Sequence, residues 1–366
     1  MLSLGETPLT ARDRGVTAAL LGALNSDVPP PFAVERFLPL PSLSYDPEDL
    51  HIGGQVERGF GDHVDQTNHS VVVDERVVVK WLTPPVPLPH PAPELMRHLV
   101  EVGFNDTAPP YAALTRVEED RELLIALVTG YLPEARDGWE WCVDECEAGR
   151  TDFADDLGAL AGRLHRALAM LPAAPSPSAG TAGSGAAARA DQALTEALAL
   201  TDGDDGEWFR GIEGRLRLEL APLAIPRETR DIRIHGDLHV GQILKWRDGY
   251  AVIDFDGNPT VADAAPYQPA ARDVAQLTTS LEHVAQVAIK RRDTPAAQAL
   301  DWAREARERM LAAYREIAGD LLDEALIRPF EVEQECRELI YAARHLPRWR
   351  YAPMGVLRTW YSEENR

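Results

Sequence analysis

Ile232-Arg233-Ile234-His235-Gly236-Asp237-Leu238-His239-Val240-Gly241-Gln242-Ile243-Leu244 is followed, after a turn at Lys245 to Gly249, by Tyr250-Ala251-Val252-Ile253-Asp254-Phe255-Asp256-Gly257-Asn258-Pro259. A short strand ends at His235, and the loop after it presents Asp237. Five residues on, Gln242 offers an amide oxygen. A hairpin then returns through Ala251, Val252 and Ile253 and ends in Asp254. Polar side chains at neighbouring strand ends converge in one pocket. Two carboxylates and an amide oxygen are hard donors, which suit Mg²⁺ rather than Zn²⁺.

Upstream, Val71 to Val73 and Arg76 to Trp81 are β-branched runs separated by Asp74 and Glu75, the pattern of a tight hairpin. Lys80 closes the second run. A Pro-rich stretch, 84–93, leads into a helix bearing Glu94, Leu95, Leu99 and Val102 that stops at Gly103. Tyr111 to Glu118 and Arg121 to Thr129 read as a second strand pair, and Gly130-Tyr131-Leu132-Pro133 marks a lobe boundary. Phosphoryl transfer needs one carboxylate to orient and deprotonate the acceptor hydroxyl, another with an amide to hold Mg²⁺, and a lysine from a separate strand against the phosphates. The two carboxylates and the amide are of the types required, and Lys80 is the lysine candidate.

Elsewhere the pattern is simpler. Residues 14–25 form an amphipathic helix ended by Pro29 to Pro31, and 32–60 is extended, with a strand expected at His51 to Glu57. Beyond the boundary the chain turns helical, with Leu157, Leu160, Leu164 and Leu168 at core spacing. Residues 172–190, almost uncharged Ala, Ser, Gly and Pro, read as a flexible loop. Helices are expected at 189–201, 205–222 and through most of 272–360.

Lys plus Arg is 37 and Asp plus Glu is 59, a net charge of −22 in 366 residues. Such a surface argues against nucleic acid and anionic membranes as partners. The apolar run Val16 to Leu24 is too short to span a bilayer and makes a poor signal peptide, so cytoplasmic residence is expected. Three cysteines, Cys142, Cys146 and Cys336, support no disulfide framework. Nothing in the sequence sets the oligomeric state; a monomer is expected.

The runs His235-Gly236-Asp237-Leu238-His239 and Ile253-Asp254-Phe255-Asp256-Gly257 resemble the catalytic and metal-binding loops of aminoglycoside phosphotransferase-like kinases. The maltokinase branch is similar also at Asp65 to Val72 and at Asp137-Gly138-Trp139. With its ending Tyr341 to Tyr351, the chain most resembles the bacterial glucosamine kinases. The resemblance implies an α+β, bilobal protein-kinase-like fold: an N-terminal cap subdomain at 1–60, a small β-rich nucleotide-binding lobe at 61–132, and a large helical lobe at 133–366 holding the catalytic loop and the sugar. It implies ATP and Mg²⁺ as cofactors and a sugar as acceptor, glucosamine going to glucosamine 6-phosphate. Asp237 is then the base, and Gln242 and Asp254 are Mg²⁺ ligands. Lys80 lies on the α/β-phosphates with Glu94 as its ion-pair partner and Glu101 as the alternative. Ser70 and Val128 join the nucleotide site. His69 and Thr67 are further phosphate contacts, because 65–70 has no glycine.

Some assignments stay open at this level. Asp256 is a second candidate ligand. His235 is read as packing and holding the loop, while His239 has three readings: substrate contact, metal ligand or packing. Arg344 and Trp349 belong to an unusually basic and aromatic cluster suited to a sugar wall. Competing functions are a maltokinase, an aminoglycoside phosphotransferase, a nucleotide-binding pseudokinase, and a metal hydrolase using His235, Asp237 and His239.

Overall fold

The computed structural model describes residues 2–4, 7–9, 12–13, 15–24, 28–43, 57–59, 69–172, 182–227, 230–258 and 265–362. The chain divides into two compact units, one of Met1–Ala135 with Trp246–Asp256, the other of Arg136–Lys245 with Gly257–Arg366.

The first unit opens with an antiparallel pair, β1 (Leu2–Leu4) and β2 (Thr7–Leu9), and helix α1 (Val16–Ala23). Six strands follow: β3 (Phe32–Arg36), β4 (Glu57–Gly59), β5 (His69–Val73), β6 (Val77–Pro87), β7 (Pro110–Glu118) and β8 (Arg121–Gly130), with α2 (Pro91–Glu101) between β6 and β7. They form one sheet in the order β3-β7-β8-β6-β5-β4, antiparallel throughout. The two expected hairpins form. Asp74 and Glu75, and Glu119 and Asp120, all take positive φ, which matches the twist of the flanking strands. On β6, period-two alternation sends Val77, Val79 and Trp81 into a core with Val73, Ala126, Val128 and Leu21 of α1. The Trp81 indole also donates to Thr17 Oγ1 at 3.1 Å.

The 1–60 segment expected as a cap shares this sheet and core through β3, β4 and α1. Glu57 of β4 explains the attachment: its carboxylate accepts from the Gly15 and Ala18 N–H groups, at 2.7 and 2.6 Å, at the positive end of α1. The strand expected at His51 to Glu57 lies outside the described residues except for Glu57.

The second unit is helical: α3 (Gly138–Glu147), α4 (Phe153–Leu168), α5 (Ala182–Leu200), α6 (Gly203–Gly211), α7 (Glu213–Leu220), α8 (Ala271–Arg292), α9 (Ala296–Ala318), α10 (Ile327–Arg344) and α11 (Tyr351–Tyr361). The leucine stripe of α4 is buried to 1% exposure or less. Truncating one of these leucines to Ala costs about 2–5 kcal/mol. Gly158 lets α4 approach α9, since a Cβ there would sit 2.0 Å from the Met310 carbonyl oxygen. Two expectations change. Helix α5 reaches back to Ala182, because the alanines at 186–188 favour helix over loop. The helix expected at 205–222 breaks at Ile212 into α6 and α7.

The β-rich island is β9 (Ile232–Arg233), β10 (Ile243–Trp246) and β11 (Gly249–Val252), and β12 (Tyr267–Gln268) pairs with β9. The sequence-based division kept all of 133–366 together, whereas Trp246–Asp256 belongs with the sheet unit. Hydrogen bonds to backbone carbonyls account for it: Val252 N–H donates to Asp106 O at 2.9 Å, the Thr107 hydroxyl to Val252 O at 2.7 Å, and Arg247 N–H to Pro133 O at 3.2 Å. No helix among the described residues is long and apolar enough to cross a membrane.

Candidate active site

In the first unit the centre is an ion-paired cluster. Lys80 Nζ lies 2.6 Å from Asp254 Oδ1 and 2.7 Å from Asp256 Oδ2. Burial acts to lower the Lys80 pKa, but the two carboxylates outweigh it and hold the pKa above its ordinary value. Asp254 has φ +64, a left-handed conformation that Asp adopts more readily than most residues and that recurs where side-chain aim matters. Ser70 stands opposite Lys80 in the β5/β6 ladder, so both side chains leave the same face of the sheet.

Two expectations about this unit are corrected. Glu94 is exposed on the first turn of α2, and Glu101 is exposed at its end; neither is the partner of Lys80. The carboxylates delivered by the returning segment Trp246–Asp256 occupy that place. Val128 pairs with Val79, not Lys80, and packs fully buried in the core. Alternation therefore turns its side chain to the face opposite Lys80, and Leu127 is the β8 residue across from the lysine. Asp65 to Asn68 lie outside the described residues. His90, which the sequence reading passed over, caps α2 by accepting from Ala92 N–H at 3.4 Å. Burial lowers its pKa, with Asp256 pulling the other way and Lys80 adding to the depression.

The donors Asp254 and Asp256 are all oxygen, and Asp256 Oδ1 is buried with no hydrogen-bond partner among the described residues. An orphaned carboxylate oxygen is costly unless something cationic completes it. The residues present therefore fit a hard divalent cation such as Mg²⁺.

In the second unit the centre is Asp237, whose side chain is 16% exposed. Its Oδ1 accepts from Gln276 Nε2 at 2.7 Å and Asn258 Nδ2 at 3.0 Å. Its Oδ2 faces His239 Nε2 at 3.8 Å. Helix α8 holds the loop that carries it. Asp273, fully buried, accepts the His235 N–H at 2.8 Å and the Gly236 N–H at 2.9 Å. Asp273 also meets His165 Nε2 at 3.1 Å, and His165 Nδ1 meets the Tyr314 hydroxyl at 2.6 Å. Burial would raise the Asp273 pKa, yet His165 and the backbone N–H groups keep it below its ordinary value. Two turns further along α8, Ser280 Oγ accepts the Val240 N–H at 3.1 Å. Asp273, Gln276 and Ser280 are three and four apart, on one face of α8. That polar stripe was the available sequence signal, and Asn258 and the stripe were missed.

Gln242 ends a 3₁₀ turn, Val240–Gln242, and is half-buried. His239 and Trp349 are joined through Trp139: ring centroids are 5.9 Å apart for Trp139–His239 and 5.7 Å for Trp139–Trp349. Trp349 also meets the His283 ring at 5.5 Å, and its indole N–H donates to Glu338 at 2.7 Å. His283 in turn meets Glu335 at 3.0 Å. Burial acts to lower the His283 pKa, but Glu335 and its acidic neighbours raise it to about 9, while burial lifts Glu335 to about 7. Arg344 does not join this wall; it pairs with Glu196 of α5 and is half exposed.

A carboxylate fixed on one oxygen, a lysine paired to two acids and an all-oxygen donor set are the equipment of phosphoryl transfer. Comparison with known proteins agrees. Residues 94–312 match the model of the phosphotransferase enzyme family. The chain is 40% identical over 320 residues to a glucosamine kinase of Streptacidiphilus jiangxiensis, covering 81% of this chain and 72% of that protein. It is 37% identical over 312 residues to a glucosamine kinase of Mycolicibacterium smegmatis, covering 80% and 77%. A solved glucosamine kinase in complex with glucosamine, ADP and inorganic phosphate superposes with a TM-score of 0.79 at 34% identity, over 96% of this chain and 86% of that one. Geometry and likeness, reached separately, place this chain in the phosphotransferase enzyme family.

Proposed function

We propose that this enzyme is an ATP-dependent sugar kinase that converts glucosamine to glucosamine 6-phosphate. The observation that carries the reading is Asp237, with Oδ1 fixed by two neutral amides and Oδ2 left to take a proton. Such a carboxylate keeps its full charge while its direction is set, which is what a base for a hydroxyl requires. Lys80 neutralises phosphate charge. Asp254 and Gln242, each from its own loop, are the proposed Mg²⁺ ligands, with Asp256 Oδ1 a further donor. Mg²⁺, when bound, offsets charge building on the phosphate oxygens.

An amino sugar is favoured by the wall around Trp349. Its aromatic face suits a sugar ring, and the partly exposed Glu338, which accepts the Trp349 indole N–H, suits an ammonium group. The likeness to glucosamine kinases, one of them solved with glucosamine, supports the same choice.

The test is ADP release with ATP across glucosamine, maltose and an aminoglycoside, with and without Mg²⁺. Mg²⁺-dependent turnover highest on glucosamine is expected. Preference for maltose or the aminoglycoside would overturn the substrate, and absence of turnover on any sugar would overturn the kinase reading.

A further inference from the structure

We propose that His239 holds the acceptor hydroxyl, its ring fixed with the proton on Nε2 so that it and Asp237 Oδ2 form a donor–acceptor notch. The inference rests on the sugar-kinase reading and adds a substrate-contacting residue to it.

The tautomer follows from the backbone. Gly241 N–H donates to His239 Nδ1 at 3.0 Å. That bond uses the Nδ1 lone pair, so the single proton of a neutral imidazole resides on Nε2. The ring is held from a second side by Trp139, tilted 31° to it. Gly241 makes this possible. A Cβ there would lie 2.6 Å from the Trp139 Nε1 and 2.9 Å from His239 Nδ1, so any other residue would push both rings away. The occupied Nδ1 also removes one route by which His239 could ligate a metal.

The partner across the notch is equally constrained. Gln276 and Asn258 occupy Oδ1 of Asp237, and Oδ2 takes no hydrogen bond from a described residue. His239 Nε2 is 3.8 Å from Oδ2, too far for a direct bond. A hydroxyl oxygen about 2.8 Å from each atom fits this gap, accepting from Nε2–H and donating to Oδ2. In the transfer, the hydroxyl proton passes to Asp237 Oδ2 and the hydroxyl oxygen bonds to the γ-phosphorus. The bond from that phosphorus to the β,γ-bridging oxygen breaks, and ADP leaves with the electron pair. His239 keeps its proton throughout. It orients the nucleophile and does not deprotonate it.

Two substitutions separate this role from a structural one. His239→Asn keeps an acceptor for the Gly241 N–H but has no group at the Nε2 position. His239→Gln returns an amide N–H near that position. The assays use the sugar that releases ADP fastest in the substrate panel, and its analogue lacking the phosphorylated hydroxyl. For glucosamine this is 6-deoxyglucosamine. His239→Asn should lower kcat/KM for the sugar about tenfold to a hundredfold, the effect of losing one hydrogen bond to a reacting group, with the KM for ATP unchanged. His239→Gln should recover much of that loss. Binding of the deoxy analogue, measured by calorimetry, should be equal in wild type and His239→Asn, because the analogue has nothing to place in the notch. Sugar turnover by His239→Asn within threefold of wild type would overturn the proposal. So would a loss of deoxy-analogue binding as large as the loss of sugar turnover, since that marks a distorted pocket. A substrate other than glucosamine changes the sugar used, not this comparison.

Discussion

The Lys80 cluster and the Asp237 clamp both hold carboxylates, by opposite means. Asp254 and Asp256 are held by a full positive charge and are partly open to solvent. Asp237 is held by two neutral amide donors from α8 and the loop after Gly257. A charge pair neutralises what it holds, and it can be exchanged for another cation or for phosphate. Amide donors set direction without cancelling charge. The first arrangement suits groups that trade partners during a cycle, and the second suits a base that must face one way and stay negative.

Asp237→Asn tests the clamp most severely. It keeps the amide contacts by flipping its side chain but cannot take a proton, so kcat should fall by on the order of 10²–10⁴-fold. ATP affinity, measured by nucleotide titration, should stay within a few-fold; turnover near wild type would show that Asp237 is not the base. Lys80→Met tests the cluster. It leaves two carboxylates adjacent with no cation, so kcat/KM for ATP should fall on the order of 10²-fold, the size of losing one charge-stabilising donor. Steady-state kinetics at varied ATP would reveal it. Gln276→Leu is milder, since Asn258 still holds Oδ1. Loss of one hydrogen bond to a charged group predicts roughly a tenfold fall in kcat at unchanged KM for ATP. An equal change in both constants would mean that the clamp also shapes the nucleotide site.

How much of this contrast was legible beforehand depended on sequence distance. The two hairpins of the sheet and the leucine stripe carry local patterns, and each formed where its pattern placed it, whereas β9 stops at Arg233, short of the expected end at His235. Lys80 was recognisable from its strand, but its partners lie 174 and 176 residues away. The resemblance, together with a helix that starts soon after the strand, suggested Glu94 instead. The Val128 assignment failed on parity, because one step along a strand reverses the face. Gln276 and Asp273 sit on a helix whose role depends on which loop it underlies, and no local rule reports that.

The smallest effect concerns the proposed sugar wall. His283 and Glu335 both have raised pKa values, about 9 and 7. Each folded value lies above the unfolded one, so the folded state binds more protons across this range. Their contribution is fully present below the unfolded values, and it is lost as pH rises through about 7 to 9. Melting temperature should therefore decline by about a few degrees from pH 6 to pH 9. His283→Gln should flatten the upper part of the decline; a melting temperature that rises over this interval would contradict the assignment.

The polar stripe of α8 has a consequence for how such an enzyme can change. Asp273, Gln276, Ser280 and His283 follow one another at intervals of three, four and three residues. One rigid rod thus meets the loop backbone, the proposed base, the loop again and the proposed sugar wall, over about 15 Å at 1.5 Å per residue. The rod works as a ruler with a fixed phase. Replacing the residue at its far end leaves every upstream mark in place, so the proposed sugar wall can change while the contacts to the Asp237 loop stay. Inserting or deleting a single residue between the marks turns everything beyond it by about 100°. Along this helix, substitutions are tolerated one mark at a time, whereas a change of length puts the marks beyond it out of register at once.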